Sequence, residues 1–240
     1  IYCRCDSRRA ARSGLVHLAR IAVAKTDSLM VQLSPPDDAT LATLRAIAQT
    51  MLAKVAPLCF RAVRCDADRA AIYRMRFNTV VERGWGKPDD MPDGMEQDEY
   101  DDRALHIIGM DGPTPVASAR LVFPLDGQVL PSEQAFGLHI EPHDRVVDLS
   151  RQIVIRAYSS QQHSIFSALL SQCWLEAQTR GFYYVCGDFT AAMIRLYRRL
   201  GMEVNILGPA RQYWGEERIP ILQDVIGSVT SLSARWLDRQ

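Results

Sequence analysis

The spacing of apolar residues divides the chain into a helical N-terminal part and a longer part in which strands and helices alternate. In residues 39–55 apolar side chains recur near helical spacing, which predicts an amphipathic helix. Residues 8–25 are a second helix candidate, and residues 34–38 between them, rich in Pro and Asp, predict a turn. We therefore expect an N-terminal helical extension over residues 1–56.

From residue 57 onward the pattern changes to short strands with amphipathic helices between them. Strands are predicted over residues 60–65, 104–110, 116–123, 146–157, 182–186, 203–207 and 219–225. Helices are predicted over residues 66–81, 164–180 and 191–200, with Asp66 as the N-cap of the first and with Gly181 and Gly201 ending the others. This order predicts an α/β (α+β) fold over residues 57–240, with a mostly antiparallel twisted sheet flanked by helices.

Composition then limits the classes of function. The chain has 240 residues, of which 48% are hydrophobic, so it can bury a sizeable core. Lys and Arg together number 28, and so do Asp and Glu. The resulting zero net charge argues against a broad nucleic-acid-binding surface, and we expect no nucleic-acid partner.

Neither a metal site nor a membrane span is expected. Cys3 and Cys5 form a lone C-x-C pair, the histidines lack the spacing of metal ligands, and no disulfide framework is visible, which favours the cytoplasm. No apolar run reaches the roughly 18 residues that a spanning helix needs. The nearest approach, residues 14–25, is expected to be an amphipathic helix on the domain, and its alternative is a peripheral contact with a membrane surface.

Carboxylates are crowded between residues 96 and 101, where Glu96, Asp98, Glu99 and Asp101 fall within six residues. Like charges this close repel one another, so the run predicts a nearby cation, either a substrate amine or an arginine. The alternative interpretation is a solvated acidic loop.

Candidate arginines lie on the predicted elements around this acidic run. Arg76 is on a helix, Arg120 is within a strand, and Arg151 follows Asp148 and Ser150 in another strand. In a regular strand Asp148 and Ser150 share one face and Arg151 lies on the other. Because an unpaired buried charge is costly, these residues indicate either a functional site or a structural ion pair with an acid of the loop.

Taken together, these motifs resemble the acyl-homoserine-lactone (autoinducer) synthases and the long-chain N-acyl amino acid synthases, which share the GNAT fold. The matching residues in chain order are Arg76, Gly84-Trp85, Glu96-x-Asp98-x-x-Asp101, Arg120-Leu121 and Asp148-x-Ser150-Arg151. The resemblance runs from residue 76 to 151, and loosely onward to 225. It implies a GNAT-like fold and the transfer of a fatty acyl group from acyl carrier protein to an amine.

The resemblance also implies residue roles. The candidate catalytic residues are Glu96, Asp98, Asp101 and Arg151, with Glu96 favoured as the base. The candidate substrate-binding residues are Arg76, Trp85, Arg120, Asp148 and Ser150. GNAT folds provide oxyanion donors through a bulge in the central strand, and Tyr197 is a candidate proton donor to the leaving thiolate by the same analogy.

The chain departs from the autoinducer synthases at several positions. It has Val80 where they carry an aromatic residue, Val122-Phe123 after Arg120-Leu121, and Gln152 after Arg151. These departures favour the N-acyl amino acid synthase branch, whose acceptor is a free amino acid such as tyrosine, over the use of S-adenosylmethionine.

The expected acyl donor is acyl carrier protein. GNAT enzymes that use acetyl-CoA normally carry a Gly-rich loop for the pyrophosphate, and residues 156–164 contain no glycine. We expect Arg156, Ser159 and Ser160 to bind the single phosphate of the phosphopantetheine thioester, with no bound cofactor. The alternatives are an autoinducer synthase that uses S-adenosylmethionine, an acetyl-CoA-dependent N-acetyltransferase, and a non-catalytic GNAT-like binding domain.

Overall fold

A computed structural model describes residues 36–236 of the chain, with side chains to residue 235. The predicted helix at residues 8–25, the amphipathic segment at 14–25 and the Cys3–Cys5 pair lie outside the described residues. The helices are α1 (Asp38–Ala53), α2 (Asp66–Glu82), α3 (Pro131–Phe136), α4 (Gln162–Gln178), α5 (Ala191–Leu200) and α6 (Val229–Trp236). The strands are β1 (Cys59–Ala62), β2 (Ala104–Asp111), β3 (Thr114–Val122), β4 (Val146–Val154), β5 (Tyr184–Phe189), β6 (Glu203–Ile206), β7 (Arg211–Tyr213) and β8 (Glu216–Asp224).

The strands form one sheet in the order β1-β2-β3-β4-β5-β8-β6, and β7 pairs with β8. Every pairing is antiparallel except that between β4 and β5, which is parallel. Strands β2 and β3 form an antiparallel hairpin, and β6 pairs antiparallel with β8. The mostly antiparallel sheet flanked by helices is therefore confirmed.

The strand alternation sends neighbouring side chains into different hydrophobic clusters. Val147 and Leu149 join the largest cluster with side chains of α1, α4, α5 and α6, whereas Val146 joins a separate cluster with Leu130, just before α3. Ile72 of α2 packs in a third cluster, on the face of the sheet opposite to the largest one. Helices thus cover both faces of the sheet, so that the apolar side chains of both faces are removed from water.

Helix α1 confirms the helix predicted over residues 39–55. Asp37 caps it by accepting a hydrogen bond from the Thr40 backbone N–H at 2.6 Å. The helix packs against α4 and α6 and buries one stripe of four side chains, which are Leu44, Ile47, Ala48 and Met51. The division of the chain at residue 56 stays a prediction.

Several local predictions are wrong at the ends of elements. Asp66 is not an N-cap: Cys65 holds that position without a side-chain cap, and Asp66 is the first helical residue. The long strand ends at Val154 rather than at residue 157, and a 3₁₀ turn, Arg156–Gln161, follows it. Helices α3 and α6 were not expected, because six to eight residues are too few to establish a helical period.

The two central strands separate halfway along their length. Strand β4 pairs with β5 only from Val146 to Asp148 and then continues alone beside β3. At the point of separation the pairing with β3 contains a bulge, where Arg151 and Gln152 oppose Ala119 and Arg151 adopts a left-handed φ of 53°. The bulge expected for a GNAT fold is therefore present in the central strand.

Gly187 lies on β5 where the two strands begin to separate. A Cβ atom at this position would lie 2.9 Å from the Leu149 carbonyl oxygen, which is backbone and cannot rotate away. We expect Gly187→Ala to lower the free energy of unfolding by about 1–3 kcal/mol, measured by urea denaturation.

Gly208→Ala is the matched control, because the nearest atom to its added Cβ is a Pro220 side-chain carbon at 3.5 Å. This variant should stay within about 0.5 kcal/mol of the wild type. Equal unfolding free energies for the two variants would contradict the close approach of β4 to Gly187.

Candidate functional site

A buried arginine on α2 organises the acidic segment that follows the helix. Arg76 is 0% exposed. Its Nε atom donates a hydrogen bond to Glu96, and its Nη1 and Nη2 atoms donate to the two carboxylate oxygens of Asp101 at 2.7 and 3.0 Å. The Glu96 backbone N–H also donates to the Tyr73 carbonyl oxygen at 3.1 Å. Both the side chain and the backbone of Glu96 therefore bind α2.

Two further arginines reach the same carboxylates from the sheet. Arg120 of β3 donates to Asp98 and, through Nε, to the Ser150 hydroxyl at 3.2 Å. Arg151 of β4 donates from Nε to Glu96 at 3.0 Å and from Nη2 to Asp98 at 2.8 Å. We call this set the arginine–carboxylate network, and its members are Arg76, Glu96, Asp98, Asp101, Arg120 and Arg151.

The predicted orientation of Arg151 is wrong. Strand alternation placed it on the face opposite to Ser150, yet Ser150 contacts Arg120 and Arg151 reaches the same acidic loop. The reason is the bulge, because the left-handed φ of 53° at Arg151 interrupts the period of two. The Arg151 guanidinium then lies 4.0 Å from the centre of the Trp214 ring.

The network keeps Glu96 and Asp101 ionised. Burial would raise the pKa of Glu96, but the charges of Arg151 and Arg76 and their hydrogen bonds outweigh it and hold that pKa below its usual value. Burial also opposes ionisation of Asp101, yet hydrogen bonds from Arg76 and the charges of Arg76 and Arg120 lower the pKa of Asp101 to about 2. A carboxylate with a lowered pKa that already accepts several charged hydrogen bonds is a weak proton acceptor.

Asp148 lies apart from the network. It is fully buried and accepts hydrogen bonds from the backbone N–H of Ser132 at 2.9 Å and from the Ser132 hydroxyl at 2.5 Å. Burial raises the pKa of Asp148 above its usual value. Its contacts therefore connect β4 to the first turn of α3.

The separation of β4 and β5 opens a cleft of about 540 Å³ that we call the β4–β5 cleft. Its floor is formed by residues 149–154 of β4, by Asp188 and Phe189 of β5, and by Thr190, which follows β5. On one face of the sheet its walls come from the end of α2 and from the β7–β8 hairpin, and on the other face from α4 and α5. The wall residues used below are Arg83, Trp85, Tyr213, Trp214, Glu216 and Arg218 on the first face, and Gln162, His163, Ala192 and Arg199 on the second.

Of the residues expected at the site, Trp85, Ser150 and Arg151 line the cleft. The expected phosphate-binding residues do not, since Arg156, Ser159 and Ser160 are exposed on the 3₁₀ turn and Arg156 pairs with Glu82 at 3.1 Å. Gln162 and His163, at the start of α4, and Arg199 of α5 line the cleft in their place. The strand ends earlier than expected, so the cleft wall begins two residues after Ser160.

The sequence reasoning missed an ion pair inside the cleft. Asp188 of β5 accepts a hydrogen bond from Arg218 of β8 at 3.2 Å. Arg218 also lies 5.3 Å from the centre of the Trp85 ring. The signal was available, because Asp188 is the one charged residue in the strand Tyr184–Phe189, but it belongs to no recognisable motif.

Two findings concern ligands and membranes. Within residues 36–236, no group of three or more His, Cys, Asp or Glu side chains is arranged to hold a metal ion. No helix of this described part is both long enough and apolar enough to cross a bilayer.

Comparisons with known proteins identify the fold. No protein-family model matches the chain, and no curated protein gives a significant match. FeeM, an N-acyl amino acid synthase from uncultured soil microbes, matches with a TM-score of 0.60 and 14% identity over 75% of this chain and 98% of FeeM. BjaI, a CoA-dependent acyl-homoserine lactone synthase with SAM and isopentyl-CoA, matches with a TM-score of 0.58 and 19% identity over 74% of this chain and 89% of BjaI.

TofI, in a ternary complex with an inhibitor and MTA, matches with a TM-score of 0.58 and 22% identity over 72% of this chain and 96% of TofI. At these identities the comparisons show the fold. The chain therefore has the GNAT-like fold that the resemblance implied.

Removing the central cation of the network should destabilise the protein strongly. We expect Arg76→Met to lower the free energy of unfolding by about 3–5 kcal/mol, because Glu96 and Asp101 would become buried charges without their main partner. Urea denaturation at pH 7 measures this difference.

Arg61→Met is the control, because Arg61 forms a similar pair with Asp68 at 2.5 Å but its side chain is 43% exposed. It should cost less than about 1 kcal/mol. Equal losses for the two variants would show that the network does not depend on buried charge.

The lowered pKa of Asp101 also predicts a dependence of stability on pH. Its folded-state pKa of about 2 lies below the ordinary value of 3.8, so its contribution is present above pH 3.8 and is lost as the pH falls towards 2. We expect the urea midpoint of the wild type to fall steeply across this window and that of Asp101→Asn to fall less. Parallel dependences of the urea midpoint on pH for the two proteins would contradict the lowered pKa of Asp101.

Proposed function

We propose that this chain is an N-acyltransferase that moves a long-chain fatty acyl group from acyl carrier protein to the amine of an amino acid. The observation that carries the proposal is the β4–β5 cleft, which reaches both faces of the sheet and has a backbone bulge at its floor. A thioester can enter from one face and an amine from the other, so that the two meet at the bulge.

The bulge supplies the donors that acyl transfer requires. When the amine nitrogen attacks the thioester carbonyl carbon, a C–N bond forms and negative charge develops on the carbonyl oxygen. We propose that the backbone N–H groups of the bulge, at Arg151 and Gln152, stabilise this oxyanion. The intermediate then breaks its C–S bond and releases the pantetheine thiolate, which takes up a proton.

Tyr197 of α5 contacts Gln152, one of the two residues of the bulge. It is 0% exposed, and its hydroxyl donates a hydrogen bond to the Gln152 side chain at 2.7 Å. Burial raises the pKa of Tyr197 well above its usual value, so the hydroxyl keeps its proton. We assign Tyr197 a positioning role towards Gln152.

The acceptor side of the cleft suits an amino acid with an aromatic side chain. Trp85, Tyr213 and Trp214 provide aromatic walls, and Arg151 and Arg218 provide positive charge for a carboxylate. A tyrosine acceptor satisfies both features. FeeM, with the same fold, is an N-acyl amino acid synthase, which agrees with an acceptor of this class.

The donor side suits a phosphopantetheine arm. Arg199 and His163 line this side, and Arg199 supplies positive charge for a phosphate. The absence of glycine from residues 156–164 favours the single phosphate of a carrier protein over the pyrophosphate of CoA. BjaI is CoA-dependent, so an acyl-CoA is the alternative donor to be tested.

The fatty chain has an apolar path from the bulge. A second cavity of about 50 Å³ lies between the sheet and α1, α4 and α6, and apart from Ser171 and Gln223 its lining is apolar. Leu149 lines both this cavity and the β4–β5 cleft. We propose that the acyl chain passes Leu149 and that its end enters the apolar cavity, where its burial is favourable.

The second candidate function is acyl-homoserine lactone synthesis. The match to BjaI with SAM favours it, and the product distinguishes it from amino acid acylation. One reaction therefore tests both: the purified chain with dodecanoyl-carrier protein or dodecanoyl-CoA, the twenty amino acids and S-adenosylmethionine, analysed by mass spectrometry. We expect an N-dodecanoyl amino acid made from the carrier-protein donor.

Ala192→Trp should lower the yield of this product by about tenfold or more, equivalent to about 1.4 kcal/mol, because the indole fills the donor side of the cleft. Ala191→Trp is the matched control. Ala191 is exposed on the same helix turn and does not line the cleft, so this variant should keep the wild-type yield. An acyl lactone would select the second function, and the absence of any acylated product with folded protein would contradict both.

A further inference from the structure

The β4–β5 cleft contains a carboxylate that lies outside the arginine–carboxylate network. Asp188 lines the cleft, and its side chain is 14% exposed. Among residues 36–236, the hydrogen bonds to its carboxylate come from Arg218 alone, through Oδ1. Glu96, in contrast, is 3% exposed, does not line the cleft, and accepts hydrogen bonds from both Arg76 and Arg151.

The sheet register puts Asp188 opposite the bulge. The last paired residues of β4 and β5 are Asp148 and Cys186. Two residues further along each strand come Ser150 and Asp188, on the same face, at the level where the strands separate. The carboxylate therefore faces the bulge at Arg151 across the opening, on the side of the aromatic walls.

The charged groups around Asp188 leave it able to take a proton near neutral pH. Burial raises the pKa of Asp188 to about 6, which the Arg218 charge opposes and the Asp148 charge assists. The titratable groups that face it are Arg218 and Glu216 on β8, Asp148 and Arg151 on β4, Tyr213 on β7 and Arg83 at the end of α2. A carboxylate that is ionised at pH 7 and still moderately basic suits general-base catalysis.

We propose that Asp188 is the catalytic base that takes the proton from the attacking amine, an inference that rests on the proposed acyltransferase function. The ammonium of the acceptor gives one proton to the Asp188 carboxylate. The freed nitrogen lone pair then forms the C–N bond at the thioester carbon. The electrons of the C–S bond leave with the thiolate, which takes up the second proton that the nitrogen loses as the amide forms. Arg218 holds the carboxylate in place, and Glu96 is left with the positioning of Arg151.

The test compares Asp188→Asn with the wild type, using two nucleophiles and the same dodecanoyl donor. Tyrosine carries an ammonium group at pH 7 and needs a base. Hydroxylamine is largely unprotonated at pH 7 and needs none. We expect Asp188→Asn to lose about 100-fold or more in kcat/KM for tyrosine, the range of general-base catalysis, and to keep the hydroxylamine rate within about threefold.

The pH profile supplies a second readout. The wild-type rate with tyrosine should rise with pH through about 6 as Asp188 ionises and then level off. This inflection should be absent from Asp188→Asn, whose rate follows the fraction of free amine, and should return in Asp188→Glu. The Asn variant should also fold, because it removes a carboxylate whose ionisation burial disfavours; urea denaturation checks this.

Three results would overturn the inference. The first is a wild-type rate with tyrosine in Asp188→Asn. The second is an equal loss with both nucleophiles, which would indicate a structural role while the acyltransferase function stands. The third is a wild-type protein that is inactive with both nucleophiles, which would overturn the proposed function and the inference with it.

Discussion

The arginine–carboxylate network is the interaction on which the rest of the site depends. Six ionised side chains in a largely buried region are stable only while each has partners of opposite charge, because removal from water is costly for an isolated charge. The network joins α2, the acidic loop, β3 and β4. It also holds Arg151 at the bulge, so the separation of β4 from β5 occurs at a fixed place along the strand.

The charged residues of the site form two groups with different roles. The network residues have strong partners, and the pKa values of Glu96 and Asp101 are lowered, which suits the network to hold backbone in place. Asp188 and Arg218 face the open cleft and share one hydrogen bond. The pKa of Asp188, about 6, lies near neutral pH. Asp188 owes its raised pKa chiefly to burial, which the charge of Arg218 opposes.

Much of the fold follows from the sequence, because the period of two in the strands and the period of 3.6 in the helices are strong where elements are long. The resemblance to known synthases also indicated Arg76, Arg120 and the acids of the network as site residues. What failed depended on local geometry without a sequence signal. The bulge reversed the side of Arg151, the early end of β4 leaves Ser159 and Ser160 outside the cleft lining and puts Gln162 and His163 in it, and Asp188 is a single charge in an apolar strand.

The central claim is that acyl transfer takes place across the β4–β5 cleft at the bulge. A crystal structure of the chain with N-dodecanoyl-tyrosine tests it most directly. We predict the amide oxygen at the backbone N–H groups of Arg151 and Gln152, the amide nitrogen within about 3.2 Å of the Asp188 carboxylate, and the alkyl chain past Leu149. An amide bound against Glu96, or outside the cleft, would contradict the account.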